Sequence, residues 1–181
     1  EINTEESIPF RLRFFASRNL DQAMRDYAPG ADVVIDGLVY RSAGVTLNWK
    51  RPAGDTDARD IQSLGFVWHC KECGAAGTLH GRAYECPECG ATGDGLSQSE
   101  YLRPAGFAAE REPAHAEADI VSYVPPEPPI VAARGASWHP LRLPELGRSR
   151  TSANGLVFYS STGSEHGDGY TICLHCGRAQ T

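Results

Sequence analysis

Near the start of the chain, apolar residues recur at helical spacing at Leu20, Ala23, Met24 and Tyr27 within ASRNLDQAMRDYAPG. Ser17 or Asn19 can cap this run and Pro29-Gly30 ends it, so the spacing predicts one short helix. The pattern then shortens to that of strands. Val33, Val34 and Ile35 lead into Asp36-Gly37 and are followed by Leu38, Val39 and Tyr40; an Asp-Gly pair between two β-rich runs predicts a hairpin with a tight two-residue turn. Residues 45–49 read as a further strand, and KRPAGDTD at 50–57 reads as a polar loop.

From Gly65 the text changes character. FVWHCKECG is followed, after a glycine-rich stretch, by YECPECG, and YLRPAGF leaves this segment through a Pro-Ala-Gly turn. An acidic run covers residues 110–119, and seven of the 12 prolines fall between Pro113 and Pro144. Such a segment cannot be helical. It is a linker or an extended strap, and Ile120, Val121, Tyr123, Ile130 and Val131 favour a strap lying on the domain. In the last section, strands at 156–159 and 170–173 predict a hairpin that delivers a third cysteine pair. The expected fold class is α+β: a small, mostly antiparallel β domain with one short N-terminal helix and an inserted zinc ribbon. Residues 1–181 then form one accessory domain, divided into a helix plus hairpin (1–65), the ribbon (66–107), the proline-rich strap (108–150) and the C-terminal hairpin (151–181).

Composition narrows the function. No stretch approaches the ~20 consecutive apolar residues of a membrane span, and EINTEESIPFRLRFF lacks the features of a secretory signal, so no membrane is expected as a partner and the location expected is cytoplasmic. A start without Met suggests an excised piece. Seventeen basic and 23 acidic residues give a net charge of -6, which argues against coating nucleic acid by bulk electrostatics. Fifteen of the 17 basic residues are Arg, gathered at Arg11, Arg13, Arg18 and Arg25 and again at Arg134, Arg142, Arg148 and Arg150. Either group can meet phosphate; the plainer reading is solvated surface.

All six cysteines sit in Cys-x-x-Cys pairs, and the first two pairs are ordered C-x2-C-x12-C-x2-C. Each pair makes a tight knuckle whose thiolates point the same way, with Gly74 and Gly90 supplying the positive backbone angles it needs. Cys70, Cys73, Cys86 and Cys89 are thus the expected ligands of a Zn²⁺ ion, whose closed tetrahedral shell of soft sulfur leaves no position for water and makes its role structural. A redox pair would need a helix start beside a thioredoxin-like core, and three repeated knuckles match a secreted disulfide framework poorly. Spacing alone does not separate zinc from iron or an iron-sulfur cluster.

Cys173 and Cys176 leave three readings open. They can make half of a second zinc site with two ligands from His69, His80, His139 or His166, they can replace one pair in the first site, or they can stay reduced and metal-free. The metal count is therefore one, or two with a second site. Trp49, Trp68 and Trp138 lie near basic residues, which suggests base stacking, but strand positions at Trp49 and Trp68 favour core packing. The candidate nucleic-acid contacts are Arg134, Trp138, Arg142, Arg148 and Arg150.

There is no phosphate-binding G-x-x-x-x-G-K-[ST] loop, no G-x-S-x-G elbow, and no deaminase-like spacing of His or Cys and Glu around His80 and Glu85, so no enzymatic activity is expected of this chain. The blocks RNLDQAMRDYAPGADVVIDGLVYRSAGV, the paired knuckles, YLRPAGF and GYTICLHCGRA, in that order, resemble the MrfA-like zinc-binding region at the C-terminal end of some bacterial DEAD/DEAH-box helicases, also found in DrmB of the DISARM anti-phage system. The resemblance implies a module that accompanies a superfamily 2 helicase motor, in cis or in trans, in phage defence or DNA repair. It implies Cys70, Cys73, Cys86 and Cys89 as metal ligands, with Cys173 and Cys176 as further candidates, whereas simpler members have one four-cysteine site. Two functions follow as expectations: a zinc-stabilised helicase accessory domain that binds DNA or a partner, or a protein-interaction module that docks a helicase partner without touching DNA.

Overall fold

In the computed structural model, which describes residues 17–48, 58–113, 115–116, 122–163 and 168–180, the Asp36-Gly37 pair turns the chain at the edge of the N-terminal sheet. Both residues have positive φ, 53° and 76°, as a two-residue type I′ turn requires. The turn joins β1 (Asp32–Ile35) to β2 (Leu38–Thr46), with Val33 opposite Tyr40 and Val34 opposite Val39. β2 is longer than the hairpin pattern suggests: Val45 and Thr46, the first two residues of the strand expected at 45–49, fall in its second half, while Leu47 and Asn48 lie beyond the strand. That half pairs with β6 (Gly106–Ala109), and the first half pairs with β7 (His115–Ala116). A register shift between Ser42 and Gly44, a bulge, separates the two regimes.

Helix α1 (Leu20–Asp26) follows Asn19, whose carbonyl accepts the Ala23 N–H at 2.8 Å while its side chain makes no capping bond. Tyr27 meets Phe107 of β6 edge to face at 6.3 Å, and Ser42 Oγ donates to the Tyr27 carbonyl at 2.7 Å, so the helix end is tied to the sheet. Periodicity predicts one helix, and the described residues hold two: α2 (Ala58–Ile61) is a single turn, too short for apolar periodicity to register.

Asp32 is the polar tie of this region. Its side chain is 1% exposed and accepts two bonds from Arg41, at 3.0 and 3.3 Å, and one from the Ser122 N–H at 2.6 Å, with His115 Nε2 at 3.6 Å. Burial opposes its ionisation, but the Arg41 guanidinium and the Ser122 amide outweigh burial and hold the carboxyl below the usual carboxylate range. A folded value below the unfolded one means stabilisation that is present above the unfolded pKa of about 4 and lost as pH falls through the lowered folded value. Asp32→Asn is expected to lower stability by about 2 kcal/mol at neutral pH, since Arg41 is partly solvated. Urea midpoints of the two proteins measured at pH 7 and pH 3 check this: the gap should narrow at pH 3.

The proline-rich segment lies on the molecule. Val124, 1% exposed, packs on Ala28 and Ala31, and β8 (Ile130–Ala132) pairs with β11 (Leu156–Phe158). β9 (His139–Pro140) and β10 (Arg148–Ser149) form a second ribbon, and β12 (Thr171–Ile172) pairs with β13 (Ala179–Gln180). The strands expected to form a hairpin with each other, at 156–159 and 170–173, therefore each pair elsewhere. β11 meets the apolar β8 along three residues, while β12 is closed by the short cysteine loop that follows it, at a lower loop-closure cost than spanning the glycine-rich stretch between.

The cysteine segment is a three-stranded antiparallel sheet in the order β4-β3-β5, made of β3 (Gly65–Cys70), β4 (Ala76–Leu79) and β5 (Leu96–Tyr101). Its core is Trp68, Cys70, Ala75, Ala83, Cys86 and Leu96. Gly77 stands opposite Trp68, and a Cβ there would come within 3.0 Å of the indole, so the glycine makes room for the ring. The fold is α+β, dominated by short antiparallel strands. Arg11, Arg13, Trp49, the loop at 50–57, Ile120, Val121 and His166 lie outside the described residues.

Candidate metal centre

Two loops of like construction bring the first four cysteines together. In the first, Cys70 N–H donates to the Ala75 carbonyl at 2.7 Å and Gly74 N–H returns to the Cys70 carbonyl at 2.9 Å; in the second, Cys86 N–H reaches Ala91 and Gly90 N–H reaches Cys86, both at 2.8 Å. Gly74 and Gly90 have φ of 72° and 75°, the left-handed region where a side chain is strained. The first loop is the turn from β3 to β4. The second lies between β4 and β5, bracketed by the Glu85–Thr92 bridge.

The four sulfurs lie within 4.8 Å of one another, with Cys70 Sγ to Cys89 Sγ at 3.6 Å and Cys73 Sγ to Cys86 Sγ at 3.7 Å. A cation held by sulfur at about 2.3 Å in a tetrahedron requires sulfur-sulfur edges of about 3.8 Å. The residues therefore fit a metal ion with four thiolate ligands and no open position. Cys173 and Cys176 do not replace either pair: the cluster is complete with Cys70, Cys73, Cys86 and Cys89.

Crowded sulfurs do not all ionise alone. Burial opposes the Cys70 thiolate, but the N–H groups of Cys73 and Glu72 and the neighbouring thiols draw it down to about 7. Burial, reinforced by the adjacent sulfurs, pushes Cys73 up to about 12. At Cys89 the Ala91 amide works downward, yet desolvation and the sulfurs of Cys70 and Cys86 raise the thiol above its ordinary value. A bound cation must displace the remaining protons, so lowering the pH weakens binding. Loading a site whose thiols are protonated releases up to four protons per ion, so apparent affinity is expected to fall steeply as the pH is lowered, by up to about ten-thousandfold per pH unit once all four carry protons. Competition with a chromophoric chelator between pH 6 and 8 measures the slope.

A distant segment clamps the first loop. Trp138 Nε1 donates to the Cys73 carbonyl at 2.8 Å, and Arg148 Nη2 donates to the same oxygen at 3.2 Å. Arg150, whose side chain is 5% exposed, donates to the Gly74 carbonyl at 3.4 Å and pairs with Glu88 of the second loop at 3.0 Å. Both guanidinium groups stack on Trp138, 4.4 and 4.7 Å from the ring. A Cβ at Gly74 would lie 3.1 Å from that ring. Of the five candidate nucleic-acid contacts, the structure thus gathers Trp138, Arg148 and Arg150 on the metal loops and leaves Arg134 and Arg142 exposed on the strap. Sequence reasoning misses Glu88; its position inside the second Cys-x-x-Cys is the available signal, and its partner lies 62 residues away.

Cys173 and Cys176 are both exposed, and the N–H groups of Cys176 and His175 draw the Cys173 thiol below its ordinary value. Among the described residues, His69, His80 and His139 do not join them in a cluster of three or more donors. Trp68, read as core, is buried in β3. No protein-family model matches the sequence, no curated protein matches it, and no solved structure matches it, which leaves the four-sulfur cluster and its clamp as the footing for what the chain does.

Proposed function

We propose that this chain is a zinc-stabilised accessory domain that works by binding, of the kind that serves a DNA helicase motor, and that the strap beside the metal centre is its binding surface. The observation that carries the reading is the clamp. Four thiolates and Zn²⁺ form a closed complex of net charge -2, and Arg148 and Arg150 bond to carbonyls of the first loop, where two positive charges offset it. The metal centre has no position for a substrate, so it serves as a rigid base from which the β9–β10 ribbon is held. Six free thiols suit a reducing, cytoplasmic setting.

On the approach to that ribbon and beside it, Arg134 and Arg142 are exposed and supply the charge that meets phosphate. Binding of duplex and single-stranded DNA across a salt series tests this, comparing the chain with an Arg134→Glu/Arg142→Glu variant. The reading expects affinity to fall with salt, and expects the slope to become shallower by about one for every phosphate that the variant no longer neutralises. A specific observation favours the second reading, docking of a protein partner: Leu141, Leu143 and Leu146 are 40%, 53% and 71% exposed on the same segment. Absence of DNA binding at low salt would leave that reading in place of the first.

A further inference from the structure

The third Cys-x-x-Cys-Gly run takes no part in the four-sulfur cluster, yet its backbone repeats the other two bond for bond. Cys173 N–H donates to the Arg178 carbonyl at 2.9 Å and Gly177 N–H returns to the Cys173 carbonyl at 2.8 Å. Gly177 has φ of 78°, against 72° and 75° at the equivalent glycines of the metal loops. In those loops this geometry sets two sulfurs side by side for one ion.

The loop is also held in place. The Gly177 carbonyl accepts the Val45 N–H at 2.8 Å, Gly44 and Arg178 form a bridge, and β12 pairs with β13 across its base. A Cβ on Gly44 would run into the Gly177 carbonyl, and one on Gly177 into the Val45 carbonyl. Two glycines thus permit close docking of the loop on the bulge of β2, and the docking leaves both cysteines exposed. A cation arriving there finds the two thiols already oriented, so little ordering entropy opposes binding.

We propose that Cys173 and Cys176 form a second metal site, a two-thiolate half-site for a soft divalent cation of the Zn²⁺ class, whose two remaining positions are filled by donors from outside the pair. Those donors come either from the same pair on a second copy of the chain, giving one ion shared by two chains, or from solvent and side chains of the same chain, giving one ion per chain. The proposal stands on these residues alone and does not depend on the DNA-binding reading.

The test compares zinc content of the full chain, purified reduced and zinc-loaded, with that of Cys173→Ser/Cys176→Ser. Loss of one zinc per chain supports completion within one chain; loss of half a zinc, with loss of a dimer in sedimentation, supports a shared ion. Alkylation of the unmutated protein provides a readout independent of folding in the variant: Cys173 and Cys176 should be protected from iodoacetamide when zinc is bound and should react once a mild chelator removes the more weakly held ion. Equal zinc content in both proteins, with both cysteines alkylated at full rate in the loaded chain, would overturn the proposal.

Discussion

Removing the metal, by chelation or by Cys86→Ser, is expected to unfold the three-stranded β4-β3-β5 sheet while the N-terminal sheet persists. The reason lies in how little else holds that segment. Of the six buried residues in its core, two are the ligands Cys70 and Cys86, two are alanines, and only Trp68 and Leu96 are large. Burying two large side chains contributes roughly 5 kcal/mol, whereas a structural four-thiolate site contributes on the order of 10 kcal/mol to local folding. Cys86→Ser leaves a poor oxygen donor in a position only 2% exposed, so both contributions fail together. Trp68 reports the change: its amide should lose hydrogen-exchange protection on chelation, while Val39 and Tyr40 of β2, paired with β1, should keep theirs. Retained protection at Trp68 after complete metal removal would contradict this.

The second large effect is expected at Trp138 and Arg150, which touch no sulfur. Trp138→Ala removes the bond to the Cys73 carbonyl, the packing on Gly74 and the surface on which two guanidinium groups stack. A loss of about 3 kcal/mol follows from the truncation. Arg150→Ala leaves the Glu88 carboxylate and the Gly74 carbonyl without the group that joins the two metal loops, at about 2 kcal/mol. Groups that orient metal ligands from behind typically change metal affinity by about 10- to 100-fold when removed. Zinc transfer to a chelator should therefore quicken by at least about tenfold in either variant. Arg142→Ala, on the exposed strap, is the comparison expected to show no change.

These two predictions differ in how far the sequence announces them. The four ligands are legible because a Cys-x-x-Cys-Gly loop is local: its chemistry, its left-handed glycine and its two backbone bonds fall within six residues. The Asp36-Gly37 hairpin is legible for the same reason. The clamp is not, since Trp138, Arg148 and Arg150 reach the first loop across 65 to 76 residues. Nothing local marks an arginine as a partner of a carbonyl so far away, and the same residues read equally well as a surface for phosphate. Strand pairing at the C-terminus escapes the sequence on similar grounds. Alternation identifies Leu156 and Val157 as strand residues, but which strand they meet is a matter of loop cost and apolar matching with Val131 and Ala132. A bulge at Gly44 disguises one long strand as two, and its purpose becomes visible only with the Cys173 loop seated against it.

X-ray absorption at the zinc edge of the Cys173→Ser/Cys176→Ser variant bears most directly on the central claim, because it isolates the first site. One zinc per chain with four sulfur neighbours at about 2.3 Å is the expected spectrum. A first shell of nitrogen and oxygen, or protein that stays folded at Trp68 with no stoichiometric metal, would contradict it.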